Sequence, residues 1–66
     1  MNVAEQLARQ IRRVATIRRH YEDIGPAGIF GLTMIDAALE KGCKAAGSGD
    51  PVAIIAAGQE LEAIET

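Results

Sequence analysis

His20, Tyr21, Glu22 and Asp23 are consecutive, and they form the densest group of side chains in the chain able to move protons. On a helix His20 and Asp23 are neighbours at i and i+3, a spacing at which a carboxylate can orient an imidazole for acid–base work. The same four residues also describe an ordinary solvated helix end. That reading is preferred, because so short a motif has no specificity without a structural context. One His and one Cys are too few for a zinc cage or a disulfide framework, so no metal or cofactor is expected. Cys43 falls on an apolar helical stripe and is expected to be a buried, inert thiol, since nothing nearby in sequence would lower its pKa. The chain therefore reads as non-enzymatic.

Charge offers a second kind of chemistry. The net charge is −2, but residues 1–24 hold Arg9, Arg12, Arg13, Arg18 and Arg19 against Glu5, Glu22 and Asp23, a local balance of +2. Residues 25–66 hold Lys41 and Lys44 against six carboxylates, a balance of −4. Such a split can be used within the molecule, helix against helix, or outwardly against an acidic protein, a phosphate or a nucleic acid. Duplex DNA is disfavoured, because no basic recognition helix follows the first. A small anionic ligand has a more specific candidate site. Gly25-Pro26-Ala27-Gly28 opens the second helix with backbone N–H groups, an anion-favouring position, and Arg18, Arg19 and Tyr21 lie just before it. The stretch is first of all a turn, and it lacks the lysine and spacing of a phosphate-binding loop.

Three helices must carry these residues. In the first, about 3–23, Val3, Leu7, Ile11, Val14, Ile17 and Tyr21 recur at helical spacing, and Asn2 with Glu5 three residues on marks the start. Arg9, Arg12, Arg13, Arg19 and His20 occupy the other face. Arg18 breaks the pattern, one heptad after Ile11, and is expected to snorkel or to meet a carboxylate across an interface. Gly25 and Pro26 stop this helix and start the next, since Gly readily adopts the left-handed conformation and Pro suits a first helical position.

The second helix, about 26–46, is apolar on two sides. Ile29, Leu32, Ile35, Leu39 and Cys43 form one stripe; Phe30, Met34 and Ala38, with Gly31 beside them, form the other. A helix apolar nearly all round is a buried one. A chain of 66 residues has little to cover it with, and small scaffolds without a disulfide or metal commonly associate. Phe30, Gly31, Met34 and Ala38 are therefore expected to meet another copy. Gly47-Ser48-Gly49-Asp50-Pro51 reads as a loop, and a third helix follows over about 51–64 with Ile54, Ala57, Leu61 and Ile64 inward. Glu60, Glu62 and Glu65 crowd its end, where acidic charge opposes the helix dipole unless cations lie alongside. In an up-down-up bundle Arg12, Arg13 and Arg19 would supply them.

The run Tyr21-Glu22-Asp23-Ile24-Gly25-Pro26-Ala27-Gly28-Ile29-Phe30-Gly31, followed by Met34-Ile35 and Gly49-Asp50-Pro51-Val52, resembles small helical proteins of Mu-like transposable phages and prophages. The resemblance spans roughly residues 17–64 and carries over no assigned site residue. It implies context: small phage accessory proteins act by binding host or defence machinery, either blocking a protein or sequestering a signal molecule.

The resulting expectation is an all-α, three-helix chain forming a homodimer or higher oligomer in the cytoplasm, since no run is long enough to span a membrane. It would bind a bacterial protein, with Arg12, Arg13, Arg18 and Arg19 as the expected docking residues. The alternatives are a sponge for an anion such as a nucleotide, held by Arg18, Arg19, Tyr21, Gly25 and Gly28, and weak nucleic-acid binding through the arginines of the first helix.

Overall fold

A computed structural model describes residues 2–65, and every regular element among them is helical. Helix α1 spans Val3–Ile24, a 3₁₀ turn spans Gly25–Gly28, α2 spans Ile29–Ser48 and α3 spans Pro51–Glu62. The start of α1 is set by Asn2, whose Oδ1 accepts from the Glu5 N–H at 2.8 Å, and α3 starts on Asp50, whose Oδ1 accepts from the Val52 N–H at 3.0 Å. Each cap supplies a partner for one of the N–H groups that a helix start leaves unpaired. At the corner Gly25 has φ +80°, and its N–H donates to the Glu22 carbonyl, closing α1. The loop expected over 47–51 is shorter than its composition implies. Gly47 and Ser48 remain helical, and the reversal is made at Gly49, with φ +71°.

The core is aliphatic. Leu7, Val14 and Ile17 of α1 meet Ile35 and Ala45 of α2 and Ile54, Ala57 and Leu61 of α3, all of them buried. The stripes expected for α1 and α3 are the ones that face inward, with Val3, Ile11, Tyr21 and Ile64 half-buried around them.

Helix α2 departs from expectation. Its inward line is Gly28, Gly31, Ile35, Ala38, Gly42 and Ala45, the alternating three- and four-residue spacing of a packing seam. Ile29 and Cys43, expected in the core, are exposed. Gly31 and Ala38, expected at an interface between copies, are used inside the chain. The reason is steric. Large side chains of α1 and α3 need holes, and α2 supplies them: the Tyr21 ring occupies the place of a Cβ on Gly31, and a Cβ on Gly42 would lie 3.0 Å from Leu61 Cδ1. Of the bulky stripe Ile35 is buried and Leu32 and Leu39 are half-buried, while the closest approach is made on the small residues beside them.

Helix lengths set the outline of the molecule, which measures 36 × 18 × 16 Å. At 1.5 Å per residue α1 and α2 reach roughly 30 Å, whereas the 12 residues of α3 reach roughly 18 Å. The end of α3 is level with Arg13 on α1, which bonds the Leu61 carbonyl, and with Lys41 on α2, which bonds Glu60. Beyond that level α1 and α2 continue as a two-helix arm. Ile24, Ile29, Phe30 and Met34 lie there, each more than half exposed.

Candidate functional site

The arginines of α1 separate into two groups. Arg13 is structural: Nη2 donates to the carbonyls of Leu61 (2.8 Å) and Glu62 (3.3 Å), Nη1 donates to that of Ile64 (3.0 Å), and Nε donates to Gln10 Oε1 (2.9 Å). These are carbonyls at the end of α3, that of Leu61 also accepting from the Ile64 N–H at 3.1 Å, and a cation there complements the helix dipole. Cationic support for the end of α3 was expected from Arg12, Arg13 and Arg19 together, but Arg13 alone provides it, to carbonyls rather than carboxylates. Among the described residues no α1 arginine pairs with Glu60, Glu62 or Glu65; Lys41 takes Glu60 at 2.8 Å.

Arg18 is structural too. Its Nε and Nη2 donate to the two carboxylate oxygens of Asp36, Nη2 at 3.2 Å, and its Nη1 reaches Glu22. The fork geometry of guanidinium on carboxylate fixes α1 against α2 at the arm. Arg18 holds the Asp36 carboxyl below its usual pKa by donating to it, and Asp36 in turn raises Arg18, again chiefly through that hydrogen bond. The carboxylate that Arg18 meets is thus on its own chain.

Arg9, Arg12 and Arg19 are different. Their side chains are exposed and make no hydrogen bond or ion pair among the described residues. Lys44 pairs with Glu40 at 3.6 Å, so every other Lys and Arg is engaged within the molecule. Among the described residues the fold leaves three unpartnered cations on the solvent side of α1, with the unpaired carboxylates of Glu5 and Asp23 on the same side.

The corner does not assemble the anion cradle expected of Arg18, Arg19, Tyr21, Gly25 and Gly28. Gly25 donates its N–H to Glu22, Pro26 has none, and the Ile29 N–H donates to the Pro26 carbonyl. The 3₁₀ turn therefore consumes donors that a free helix start would offer. Gly28 is buried against the Tyr21 carbonyl, the Tyr21 ring covers Gly31, and Arg18 is held by two carboxylates. His20 and Asp23 make no hydrogen bond to each other, and no group of three or more His, Cys, Asp or Glu able to hold a metal ion occurs among the described residues.

A groove of about 400 Å³ between α1 and α3 escaped the sequence reading. Its walls carry the amides of Gln6, Gln10 and Gln59, with Arg9 and Glu62 beside them, and its floor includes Leu7 and Ile54. Gln6 and Gln10 are one turn apart, which in a sequence reads as a solvent face; only the packing of α3 along that edge turns it into a wall. Arg9 joins the groove to the unpartnered arginines. Amides both donate and accept, so such a wall suits a peptide backbone laid along it, and an adjacent cation suits an acidic side chain.

No family model, curated protein or solved structure matches the chain. Among the described residues no helix is long and apolar enough to cross a membrane.

Proposed function

We propose that this protein is a non-enzymatic helical binding module that presents the outer face of α1 to an acidic segment of another protein, and that it works as an oligomer assembled through Phe30 and Met34. The observation that carries the reading is the sorting of its cations. Arg13, Arg18, Lys41 and Lys44 are bonded inside the chain, while Arg9, Arg12 and Arg19 remain together on one exposed face next to the amide-lined groove. Exposed charges contribute little to folding and much to the rate and specificity of association. The resemblance to Mu-like phage proteins makes the fitting context a phage accessory factor acting in the host cytoplasm on a bacterial host or defence protein.

Affinity capture from a bacterial lysate at low salt, with mass spectrometry of retained proteins and of small molecules released on heating, tests this reading. A stoichiometric acidic protein that the Arg9→Glu, Arg12→Glu, Arg19→Glu triple variant fails to retain is the expected result. A retained nucleotide or other small anion would replace the reading with the sponge, and salt-sensitive nucleic acid would replace it with nucleic-acid binding.

A further inference from the structure

Phe30 and Met34 belong to a stripe that runs the whole length of α2. Phe30, Met34, Ala37, Lys41, Lys44 and Ser48 follow one another at alternating spacings of four and three, so they share one side of the helix. At the arm end this stripe is a ridge: Phe30 is 79% exposed and Met34 61%. At the other end it is a hollow. Lys41, Lys44 and Ser48 line a shallow apolar cleft of about 260 Å³ with Ala45 of α2 and Ala53 and Ala56 of α3. A knob and a hole thus lie on one face, at opposite ends of one helix.

We infer that two copies pair about a twofold axis crossing α2 beside Ala37, with α2 antiparallel to its mate, so that Phe30 and Met34 of each copy enter the alanine cleft of the other. The inference rests on the self-association proposed above and names its geometry. The centre of the cleft along α2 falls at Lys44 and Ala45. Bringing Phe30 to that level places the crossing between Ala37 and Ala38, where the exposed Ala37 lets two helices approach closely. Met34 then meets Lys41, and the Phe30 ring lies at the level of Lys44, whose stem packs on an aromatic face and presents a cation to it.

Area favours this occupant over a contact between tips. A stable interface takes about 800 Å² from each partner, and the arm end is only a part of a 36 × 18 Å face. Pairing along all of α2 engages the face from end to end, and each copy then contributes its knob and its hole. The same register sets the Ile24 end of one copy beside the Val52 end of the other. Val52 is an apolar residue 75% exposed.

Single-cysteine cross-linking in a Cys43→Ser background, with the solution mass measured alongside, tests the register. Ala37→Cys sits beside the axis and should link into a disulfide dimer under mild oxidation. Ala27→Cys should not, because two copies of it would be roughly 30 Å apart. Ala56→Phe, which fills the cleft from an exposed position, should weaken the dimer about 30-fold or more, the loss expected of a central anchor. A dimer that links at Ala27 and not at Ala37 pairs tip to tip; one that links at both positions or at neither lacks this register. Either result overturns the inference and leaves self-association standing. A monomer at every concentration overturns both.

Discussion

Arg13 and Arg12 are adjacent and chemically identical, yet they do different work, and the difference is one of reach. From Arg13 the end of α3 is within hydrogen-bond distance; the Arg12 guanidinium has no partner among the described residues. Charge-assisted hydrogen bonds of this kind stabilise by about 1–3 kcal/mol, which in a domain this small corresponds to a melting shift of several degrees or more. Arg13→Ala should therefore lower the melting temperature clearly, with Arg13→Lys recovering only part of the loss because a single ammonium cannot bond three carbonyls as the fork does. Arg12→Ala and Arg19→Ala should change stability by no more than about 0.5 kcal/mol. Equal effects at positions 12 and 13 would contradict the cap. The sequence places Arg13 both on a binding face and, with Arg12 and Arg19, beside the end of α3; that Arg13 alone makes the contact is not legible, because the length of a helix fifty positions away is not written in the local pattern. Asp36 gives a second test at this scale. Its carboxyl titrates lower when folded than when unfolded, so the unfolded chain binds more protons as the pH falls. The stabilising contribution is present above the unfolded value near 4 and is lost as the pH falls through the lowered folded one. Melts of the parent and of Asp36→Asn should differ at pH 6 and converge toward pH 2; a constant gap would mean that the Arg18 fork does not form.

At the scale of elements the helices and their starts are legible, because caps and periodicity are local. Asn2, Asp50 with Pro51, and Gly25 mark their ends through backbone chemistry that needs no knowledge of the rest of the chain. The face of α2 is not legible in the same way. Its packing seam is, apart from Ile35, made of glycine and alanine, whose role appears only when Tyr21, Ile11 and Leu61 are placed opposite them. Three substitutions separate the causes. Gly31→Ala inserts a Cβ into the Tyr21 ring and should destabilise by about 1–3 kcal/mol through overpacking. Gly25→Val meets no neighbour but must adopt a positive φ, and should cost more than about 1 kcal/mol. Gly47→Ala has open space and a helical backbone, so it should stabilise by about 0.5–1 kcal/mol. Urea denaturation ranks them directly. A neutral Gly31→Ala would mean that Tyr21 packs elsewhere and that α2 is rotated from the orientation described.

For the whole molecule the decisive feature is that α3 is too short to cover the hairpin it closes. The sequence shows where α3 starts and roughly where it ends, and it shows Phe30 and Met34 off the main stripe; it does not show that they stand clear of the fold. Because both are exposed in the single chain, Phe30→Glu should leave the melting behaviour of the monomer nearly unchanged while abolishing association. This separates interface from core, since a buried glutamate without a partner would unfold so small a domain. On the proposed reading an apolar side meets a second copy and a basic side meets an acidic partner. Its central claim is that Arg9, Arg12 and Arg19 serve binding and not folding. The most direct measurement is the affinity of the captured partner for the parent and for the triple glutamate variant across 50–300 mM salt, with thermal melts of both proteins. The account predicts an affinity that falls steeply with salt for the parent, binding lost in the variant, and melting temperatures within a few degrees of each other. Equal, salt-insensitive binding by both proteins would contradict it.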